Sequence, residues 1–245
     1  MSVAAQASVK RSVEAPLDDA AVNVLGGINV LEAARDARVR RVVLASTGGA
    51  IYGEVPAARR AEESWPLQPK SPYAAAKAAL EHYASVYSQS FGLETSVLRF
   101  ANVFGPRQDP SGEAGVVAIF MAKLLQGERL GLFARRVAGD AGCVRDYVFV
   151  SDVVRANLMA LDGRIAGTFN VASGQGLTTR AVAAALGQAL GIDPVIDALP
   201  PRPGDLERSV LDPTALEQTG WRAEVSFERG VELTARWFAC MQNAA

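Results

Sequence analysis

A tyrosine and a lysine stand four residues apart in the segment SPYAAAK, at Tyr73 and Lys77. Ser71 and Pro72 suit the cap and the first turn of a helix. The two side chains are therefore predicted to share one helical face, with Cβ atoms about 5–6 Å apart. A free tyrosine has a pKa near ~10, but a nearby ammonium favours the phenolate and moves the pKa toward working pH. The pair indicates a tyrosine general base, although the same spacing also arises by chance on solvated helices.

The composition excludes several other function classes. The chain has 245 residues, 49% of them hydrophobic, and a net charge of −1. It can bury a substantial core, and its charge gives no reason to expect a nucleic acid or membrane partner. The single histidine, His82, is predicted to be a surface or packing residue. One histidine excludes a multi-histidine zinc site and leaves little room for a Ser-His-Asp triad, so no metal site is predicted.

The sequence carries no sign of export or of membrane insertion. No apolar run reaches the ~18 residues of a membrane span, and the first residues lack a signal-peptide pattern. Cys143 and Cys240 form no disulfide framework, and we expect both thiols to be reduced and at least half-buried. These features predict a cytoplasmic protein.

The elements that must position Tyr73 and Lys77 alternate between helices and strands, which predicts an α/β architecture. Ser151-Asp152 and Thr178 are expected to cap two of the helices. Gly26-Gly27 weakens the first helix and suggests close packing against a neighbour. Helices are predicted at 18–37, 72–90, 116–126, 151–161, 178–190 and 226–241, and strands at 41–45, 94–100, 145–150 and 167–172.

The strand at 41–45 leads directly into a turn that could form the floor of a site. Its apolar, β-branched residues are typical of a strand buried on both faces of a parallel sheet. The turn that follows is STGGAIYG, residues 46–53. In open α/β sheets, ligands bind beyond the carboxyl ends of the strands. Hydroxyls and glycines at this position favour a binding site, and a plain polar loop is the alternative.

A near match to the dinucleotide-binding fingerprint lies later in the chain. Gly174 and Gly176 follow a predicted strand and precede a helix, and Asp197 comes about 20 residues on. Thr179 replaces the third glycine, however, and little chain remains after Asp197 to complete a nucleotide-binding domain. We do not predict a cofactor site here, and the sequence holds no other glycine-rich phosphate loop.

Taken together, the motifs resemble the extended short-chain dehydrogenase/reductase superfamily, and within it the NAD-dependent epimerase/dehydratase family and its sugar-nucleotide epimerases. The resemblance runs essentially from end to end. The segments that carry it, in chain order, are Ala4-Ala5-Gln6, Asn23-Val24-Leu25-Gly26, the turn at 46–53, Tyr73-x-x-x-Lys77, Arg99-Phe100-Ala101-Asn102, Arg145-Asp146-Tyr147 and Arg202-Pro203-Gly204-Asp205.

The resemblance implies a Rossmann-like, doubly wound parallel sheet with a smaller C-terminal α/β substrate domain. We expect residues 1–105 to form part of the NAD-binding domain, with a return of the chain near 140–170. Residues 106–245 are expected to form mainly the substrate domain. Members of the family carry a βαβαβ unit with a glycine-rich loop before the segment matched here, on the order of 70 residues. We therefore expect an N-terminally truncated chain without the pyrophosphate cradle.

By the same resemblance the cofactor is NAD, Tyr73 is the base and Lys77 its partner. The catalytic turn is one residue longer than the common form of the family. When the turn is aligned with the family backward from Tyr52, the position that carries the catalytic hydroxyl falls on Gly48. When it is aligned forward from the end of the strand, that position falls on Thr47. Thr47 is the first choice and Ser46 the second. The cofactor-binding residues implied are Val3, Ala4, Ala5, Gln6, Asn23, Ala45, Tyr73, Lys77 and Ala101.

The implied reaction is 4-epimerisation of a UDP-hexose through transient oxidation at C4 and return of hydride to either face. A dehydratase is disfavoured because Gly48-Gly49 stands where that group has a carboxylate pair. A catalytically silent fragment that binds sugar nucleotides is the alternative. The substrate-binding residues implied are Asn102, Val116, Leu132, Arg145, Tyr147, Arg202 and Asp205.

Two finer expectations also follow from the resemblance. Ser209 replaces a bulky residue that excludes N-acetyl sugars in these epimerases, so tolerance of UDP-N-acetylhexosamines is predicted. A homodimer is expected through the helices at 18–37 and 72–90. Its contacts would come from Ala76, Leu80, Tyr83 and Tyr87, although the same residues could instead be core.

Overall fold

The computed structural model describes residues 1–111, 115–202 and 205–242. Helices and strands alternate along most of it, as the sequence predicts. The strands are β1 (Arg41–Thr47), β2 (Glu94–Phe100), β3 (Asn102–Phe104), β4 (Leu130–Phe133), β5 (Val144–Phe149), β6 (Gly167–Val171), β7 (Gly176–Thr178), β8 (Ile196–Leu199) and β9 (Arg208–Ser209). The helices are α1 (Val9–Glu14), α2 (Pro16–Ala20), α3 (Gly26–Asp36), α4 (Gly48–Ile51), α5 (Pro72–Phe91), α6 (Val116–Leu125), α7 (Val150–Leu161), α8 (Thr179–Leu190), α9 (Thr214–Glu217) and α10 (Phe227–Gln242).

A parallel sheet in the order β1-β2-β6 lies at the centre of the first part of the chain. Successive residues of a strand face opposite sides of a sheet. Accordingly Val42 and Leu44 pack with α3 and α5, whereas Val43 packs with α7 on the other face. Helices cover both faces, which confirms the predicted doubly wound α/β fold and explains why β1 is apolar throughout.

The helix predicted at 18–37 is continuous from α2 to α3 through one π-helical turn, Ala21–Leu25. The close approach predicted for its glycines is present at Gly27. A Cβ added there would lie 2.5 Å from Leu80 Cδ1, so a side chain would collide with α5. Glycine thus brings these two helices together over the sheet.

The rest of the described chain builds a second, mixed assembly around β5. Strand β5 pairs with β3 and β9 in parallel and with β7 antiparallel, while β4 and β8 form a separate parallel pair. Its apolar core includes Phe104, Tyr147 and Phe149 and is covered by α6, α8 and α10. The sequence missed β3, β4, β7, β8 and β9, since two to four residues are too few to show a strand period.

Several local predictions can be checked directly. Thr178 caps α8 by accepting a hydrogen bond from the Ala181 amide at 3.1 Å, as predicted. The predicted cap at 151–152 is wrong, because α7 begins at Val150 with Phe149 as its cap residue. Cys240 is exposed rather than half-buried, and His82 is exposed as expected. Within the described ranges no helix is both long and apolar enough to cross a membrane.

Candidate active site

Helix α5 presents Tyr73 and Lys77 to the carboxyl end of β1. The Ser71 hydroxyl caps the helix by accepting a hydrogen bond from the Ala74 amide at 3.2 Å, and Pro72 occupies its first turn. Lys77 is 6% exposed, and its Nζ donates to the Ala45 carbonyl at 3.2 Å. The same Nζ lies 5.9 Å from the centroid of the Tyr73 ring. The prediction that the Tyr73 phenol and the Lys77 ammonium share one face of the helix is therefore met.

The last residue of β1, Thr47, lines the same cavity as Tyr73, close enough for its side chain to affect the pKa of that tyrosine. Burial raises the pKa of Tyr73 above its ordinary value, the Thr47 hydrogen bond lowers it, and the negative charge of Asp19 raises it. Burial likewise lowers the pKa of Lys77, against the charges of Asp19 and Glu81. Desolvation is therefore the largest cause of the pKa shift in both groups. Tyr73 is the neutral phenol at pH 7 in the protein alone.

Ser46, the second choice for the catalytic hydroxyl, points elsewhere. Its Oγ donates to Glu81 Oε1 at 2.5 Å, about two turns of α5 beyond Tyr73. Gly48, the other position reached by counting, has no hydroxyl, and a side chain there would require Leu211 to move, because an added Cβ would lie 2.2 Å from Leu211 Cδ1. Of the three positions, Thr47 is the one beside Tyr73.

A cavity of about 370 Å³ lies between β1, the π-helical turn and α5. It brings together five of the residues expected to hold the cofactor, Ala4, Ala5, Asn23, Ala45 and Lys77. Val3 is 57% exposed and does not line it. Ala101 lies in the neighbouring cavity beside Tyr73.

Asp19 is a buried carboxylate, bonded to Gln6 and Asn23, that the sequence did not single out. Its Oδ1 accepts hydrogen bonds from Gln6 Nε2 at 2.7 Å and from Asn23 Nδ2 at 2.9 Å. Asn23 also clamps the backbone of Gln6, which donates to Asn23 Oδ1 at 3.1 Å and accepts from Nδ2 at 2.9 Å. Asp19 is 1% exposed, and its Oδ2 has no partner among the described residues. Asn23 sits in the π-helical turn, a deviation frequent at functional sites.

A second cavity, of about 320 Å³, opens from Tyr73 and Thr47 toward β5. Predicted substrate residues Asn102, Arg145 and Asp205 line it. Asn102 is held there because its Nδ2 donates to the Asp146 carbonyl at 3.0 Å. The lining residues that were not predicted are Ala7, Val9, Gly49, Ala50, Lys70, Ser71, Val103, Gln108, Gly115 and Leu206.

The other predicted substrate residues do not line this cavity. Leu132 is buried in β4, and Val116 packs against the core of the second assembly. The Tyr147 ring is buried with Phe227, at a centroid distance of 5.3 Å. The Arg202 guanidinium lies 3.5 Å from the centroid of the Phe133 ring, away from Arg145. Pro203 and Gly204 of the same motif lie outside the described residues.

Asp146 ties three segments together beneath this cavity. Its carboxylate accepts hydrogen bonds from the Ser173 amide at 3.0 Å, the Ser173 hydroxyl at 2.7 Å, the Gly174 amide at 3.0 Å and the Leu211 amide at 3.3 Å. Burial raises its pKa to about 6, and these four donors oppose that rise. The sequence offered no signal for this role, because the donors lie 27 or more residues away.

Asp146→Asn is expected to lower the urea midpoint at pH 7 and to flatten its dependence on pH. The amide cannot accept from donors on both sides, so a buried donor is left unpaired. The pKa of Asp146 is higher in the folded state, about 6, than its ordinary 3.8. The stability due to its protonation is therefore present at low pH and lost as pH rises through about 6, at no more than about 1.4 kcal/mol per pH unit.

Urea titrations of the wild type and of Asp146→Asn at pH 4 to 7 measure this difference. Asp109→Asn is the matched control, because Asp109 is exposed and, among the residues that the structure describes, bonds to Ser111 of its own turn. The expectation would be contradicted if the urea midpoints of the wild type and of Asp146→Asn changed with pH in parallel.

The near match to a dinucleotide fingerprint is not a cofactor site. Gly176 begins strand β7 and pairs with Asp146, so it is part of a sheet rather than of a phosphate loop. Asp197 forms an exposed ion pair with Arg129.

Comparison with known proteins decides the family. Residues 1–172 match the model of the NAD dependent epimerase/dehydratase family. The chain belongs to this family. A UDP-glucose 4-epimerase of Mycolicibacterium smegmatis is 47% identical over 96% of this chain and 74% of its own length.

Solved structures of the epimerase/dehydratase family resemble this protein closely. The Thermus thermophilus UDP-glucose 4-epimerase complex with NAD has a TM-score of 0.93 and 58% identity, over 97% of this chain and 76% of that one. The UDP-N-acetylglucosamine 4-epimerase of Methanobrevibacter ruminantium, in complex with UDP-N-acetylmuramic acid, has a TM-score of 0.90 and 32% identity. That match covers 98% of this chain and 76% of the other.

Proposed function

We propose that this protein catalyses the NAD-dependent 4-epimerisation of a UDP-hexose, interconverting UDP-glucose and UDP-galactose. The observation that carries the proposal is that Tyr73 and Thr47 line one cavity together with Arg145 and Asp205, with Lys77 beside the Tyr73 ring. Relatives of the same family that share 47% and 58% identity with the chain are UDP-glucose 4-epimerases.

The residues around the first cavity fit the hydroxyl-rich ribose end of NAD. Lys77 has three N–H donors, and the Ala45 carbonyl takes one of them. The buried Asp19 Oδ2 is an acceptor in need of a donor. We infer that Lys77 holds the nicotinamide ribose, with Asn23, Ala4 and Ala5 around it. NAD, when bound, accepts the hydride from C4 of the sugar and returns it.

In its phenolate form, Tyr73 removes the proton from the 4-hydroxyl of the sugar while C4 is oxidised. Thr47 supports this step in two ways, because it hydrogen-bonds the reacting oxygen and its contact lowers the pKa of Tyr73. Lys77 contributes a positive charge that favours the phenolate. Tyr73 then returns the proton, so the net reaction inverts C4 and consumes nothing.

The diphosphate of the substrate must be held while the sugar turns over. Arg145 fits this role, since a guanidinium fork binds phosphate oxygens in pairs. It lines the cavity opposite Tyr73, on the same strand as Asp146. Asn102, fixed by the Asp146 carbonyl, contacts the sugar or a phosphate. A dehydratase remains disfavoured, because positions 48 and 49 beside Thr47 are glycines rather than an acid pair.

Conversion of UDP-galactose to UDP-glucose, followed by proton NMR with NAD present, tests the proposal. Binding of UDP should be followed by calorimetry on the same protein. Conversion together with binding supports an epimerase. Binding without conversion would instead favour the catalytically silent sugar-nucleotide-binding alternative.

Ser209→Tyr is expected to reduce turnover of UDP-N-acetylglucosamine at least about tenfold relative to UDP-galactose. Ser209 is 1% exposed and pairs with Arg145 across β9 and β5, so its size limits the space next to the cavity. A single steric mismatch in a binding pocket changes the discrimination between two substrates by about 1–3 kcal/mol, which is about 10–200-fold in kcat/KM. Steady-state kinetics on both substrates measure the ratio, with Ser209→Ala as the control. An unchanged ratio, or a wild type inactive on the N-acetyl sugar, would contradict the prediction.

We also infer a homodimer that uses the helices at 18–37 and 72–90. Of the contact residues first considered, Ala76, Leu80 and Tyr87 are buried within the chain and only Tyr83 is exposed. The exposed apolar side chains that support the dimer are Val22, Leu25, Val30, Tyr83 and Val86. We further propose that residues 1–105 form the cofactor-binding part and residues 106–245 the substrate-binding part. The proposed role of the protein is in cytoplasmic galactose metabolism.

A further inference from the structure

A buried ion pair joins the catalytic helix to the middle strand of the sheet. Glu81 lies one turn beyond Lys77, so Tyr73, Lys77 and Glu81 form one stripe along α5. Arg99 of β2 grips Glu81 in bidentate fashion, with Nε 3.1 Å from both carboxylate oxygens and Nη2 2.6 Å from Oε2. The two side chains are only 9% and 7% exposed.

The pair is the centre of a network that reaches the catalytic turn from both ends. Ser46, immediately before Thr47, donates to Glu81 Oε1 at 2.5 Å. Tyr52, at the far end of the turn, accepts from Arg99 Nη1 at 2.7 Å and donates to Asn170 Oδ1 at 2.8 Å. Thr47 is thus bracketed by two side chains that contact the Glu81–Arg99 pair.

Stability alone does not explain why this site is ionic. Burying a carboxylate and a guanidinium costs several kcal/mol each, and a well-packed apolar pair of similar volume is often as stable or more so. A bidentate pair fixes the relative orientation of the two side chains instead, because the guanidinium donates two N–H groups to the carboxylate in one plane.

The rotation of α5 must be closely fixed for Tyr73 to meet its neighbours. The buried face of the helix is rich in alanine, at Ala74, Ala76, Ala78 and Ala84, beside the larger Lys77, Leu80 and Tyr87. A rotation of about 20° would move a side chain at about 5–6 Å from the helix axis by about 2 Å. A misplacement of about 1 Å can cost about 10²-fold in rate.

We propose that Glu81 and Arg99 are positioning residues that set the rotation of α5 and, through Ser46 and Tyr52, hold Thr47 against Tyr73. The inference rests on the proposed function for its catalytic consequence. It also assigns a role to Ser46 and to the arginine of the Arg99-Phe100-Ala101-Asn102 segment, neither of which touches the cavity beside Tyr73.

The test compares Glu81→Gln, Ser46→Ala and the control Asp197→Asn. Asp197 forms a bidentate pair with Arg129 on the surface, far from the site, so the control breaks the same chemistry without the positioning role. We expect kcat to fall about 10- to 100-fold in Glu81→Gln at an unchanged KM for UDP-galactose, and by a smaller factor in Ser46→Ala. The control should stay within twofold. A folded Glu81→Gln with wild-type kcat would overturn the proposal.

Titration of Tyr73 in ¹³C-tyrosine-labelled protein gives a readout that needs no turnover. Comparison with Tyr73→Phe assigns its signal. Rotation of α5 breaks the Thr47 contact and changes the burial of the ring, so the pKa of Tyr73 should shift in Glu81→Gln and in Ser46→Ala but not in Asp197→Asn. Should Glu81→Gln fail to fold, Ser46→Ala, which keeps the ion pair, decides the matter. An unshifted pKa of Tyr73 in that variant would refute positioning. If the variants shift this pKa as expected but the wild type has no epimerase activity, only the proposed function is refuted.

Discussion

Replacing Tyr73 by phenylalanine is expected to lower kcat by about 10²- to 10⁴-fold, the usual contribution of a positioned general base. The ring stays in its buried place, and only the hydroxyl that meets Thr47 is lost. The KM for UDP-galactose should change little, because Arg145, the proposed diphosphate anchor, is left unchanged. Steady-state kinetics with NAD and UDP-galactose measure both constants.

Tyr83→Phe is the matched control for this change. Tyr83 lies on the same helix but is 43% exposed, so removal of its hydroxyl should leave kcat within twofold. The urea midpoint of Tyr73→Phe should remain close to that of the wild type, which separates lost chemistry from lost folding. A Tyr73→Phe variant with more than a tenth of wild-type kcat would exclude Tyr73 as the base.

Arg145→Leu is expected to raise the KM for UDP-galactose by about 10- to 150-fold. Hydrogen bonds to a charged group contribute about 1.5–3 kcal/mol, and each 1.4 kcal/mol is a tenfold change in affinity. Arg145 lines the cavity and donates only to the neighbouring Val144 carbonyl, at 3.0 Å, among the described residues. Its fork is therefore available to phosphate oxygens.

Calorimetry with UDP, together with steady-state kinetics, measures this effect. Arg129→Leu is the control, because Arg129 is an exposed arginine outside the cavity. If Arg145→Leu lowered kcat and left the affinity for UDP unchanged, the anchor would have to lie elsewhere in the protein.

Much of the fold could be read from local signals. The ends of α5 are encoded in Ser71, Pro72 and Gly92, whose preferences act within one turn of the chain. The apolar run of β1 required a sheet covered on both faces, and the structure has one. The five strands that were missed have two to four residues each, and they exist only because partners distant in sequence supply their hydrogen bonds.

The sequence by itself determined that Tyr73 and Lys77 share one helical face, because that depends on neighbours within a few residues. Only the tertiary structure decided which hydroxyl lies beside Tyr73. Counting along the turn left Thr47, Ser46 and Gly48 open, and the Ser46 hydroxyl donates to Glu81 instead. The roles of Asp19, Asp146 and the Glu81–Arg99 pair could not be predicted from the sequence either. Their partners lie up to 65 residues away, and the interactions of a buried charge depend on the groups packed around it.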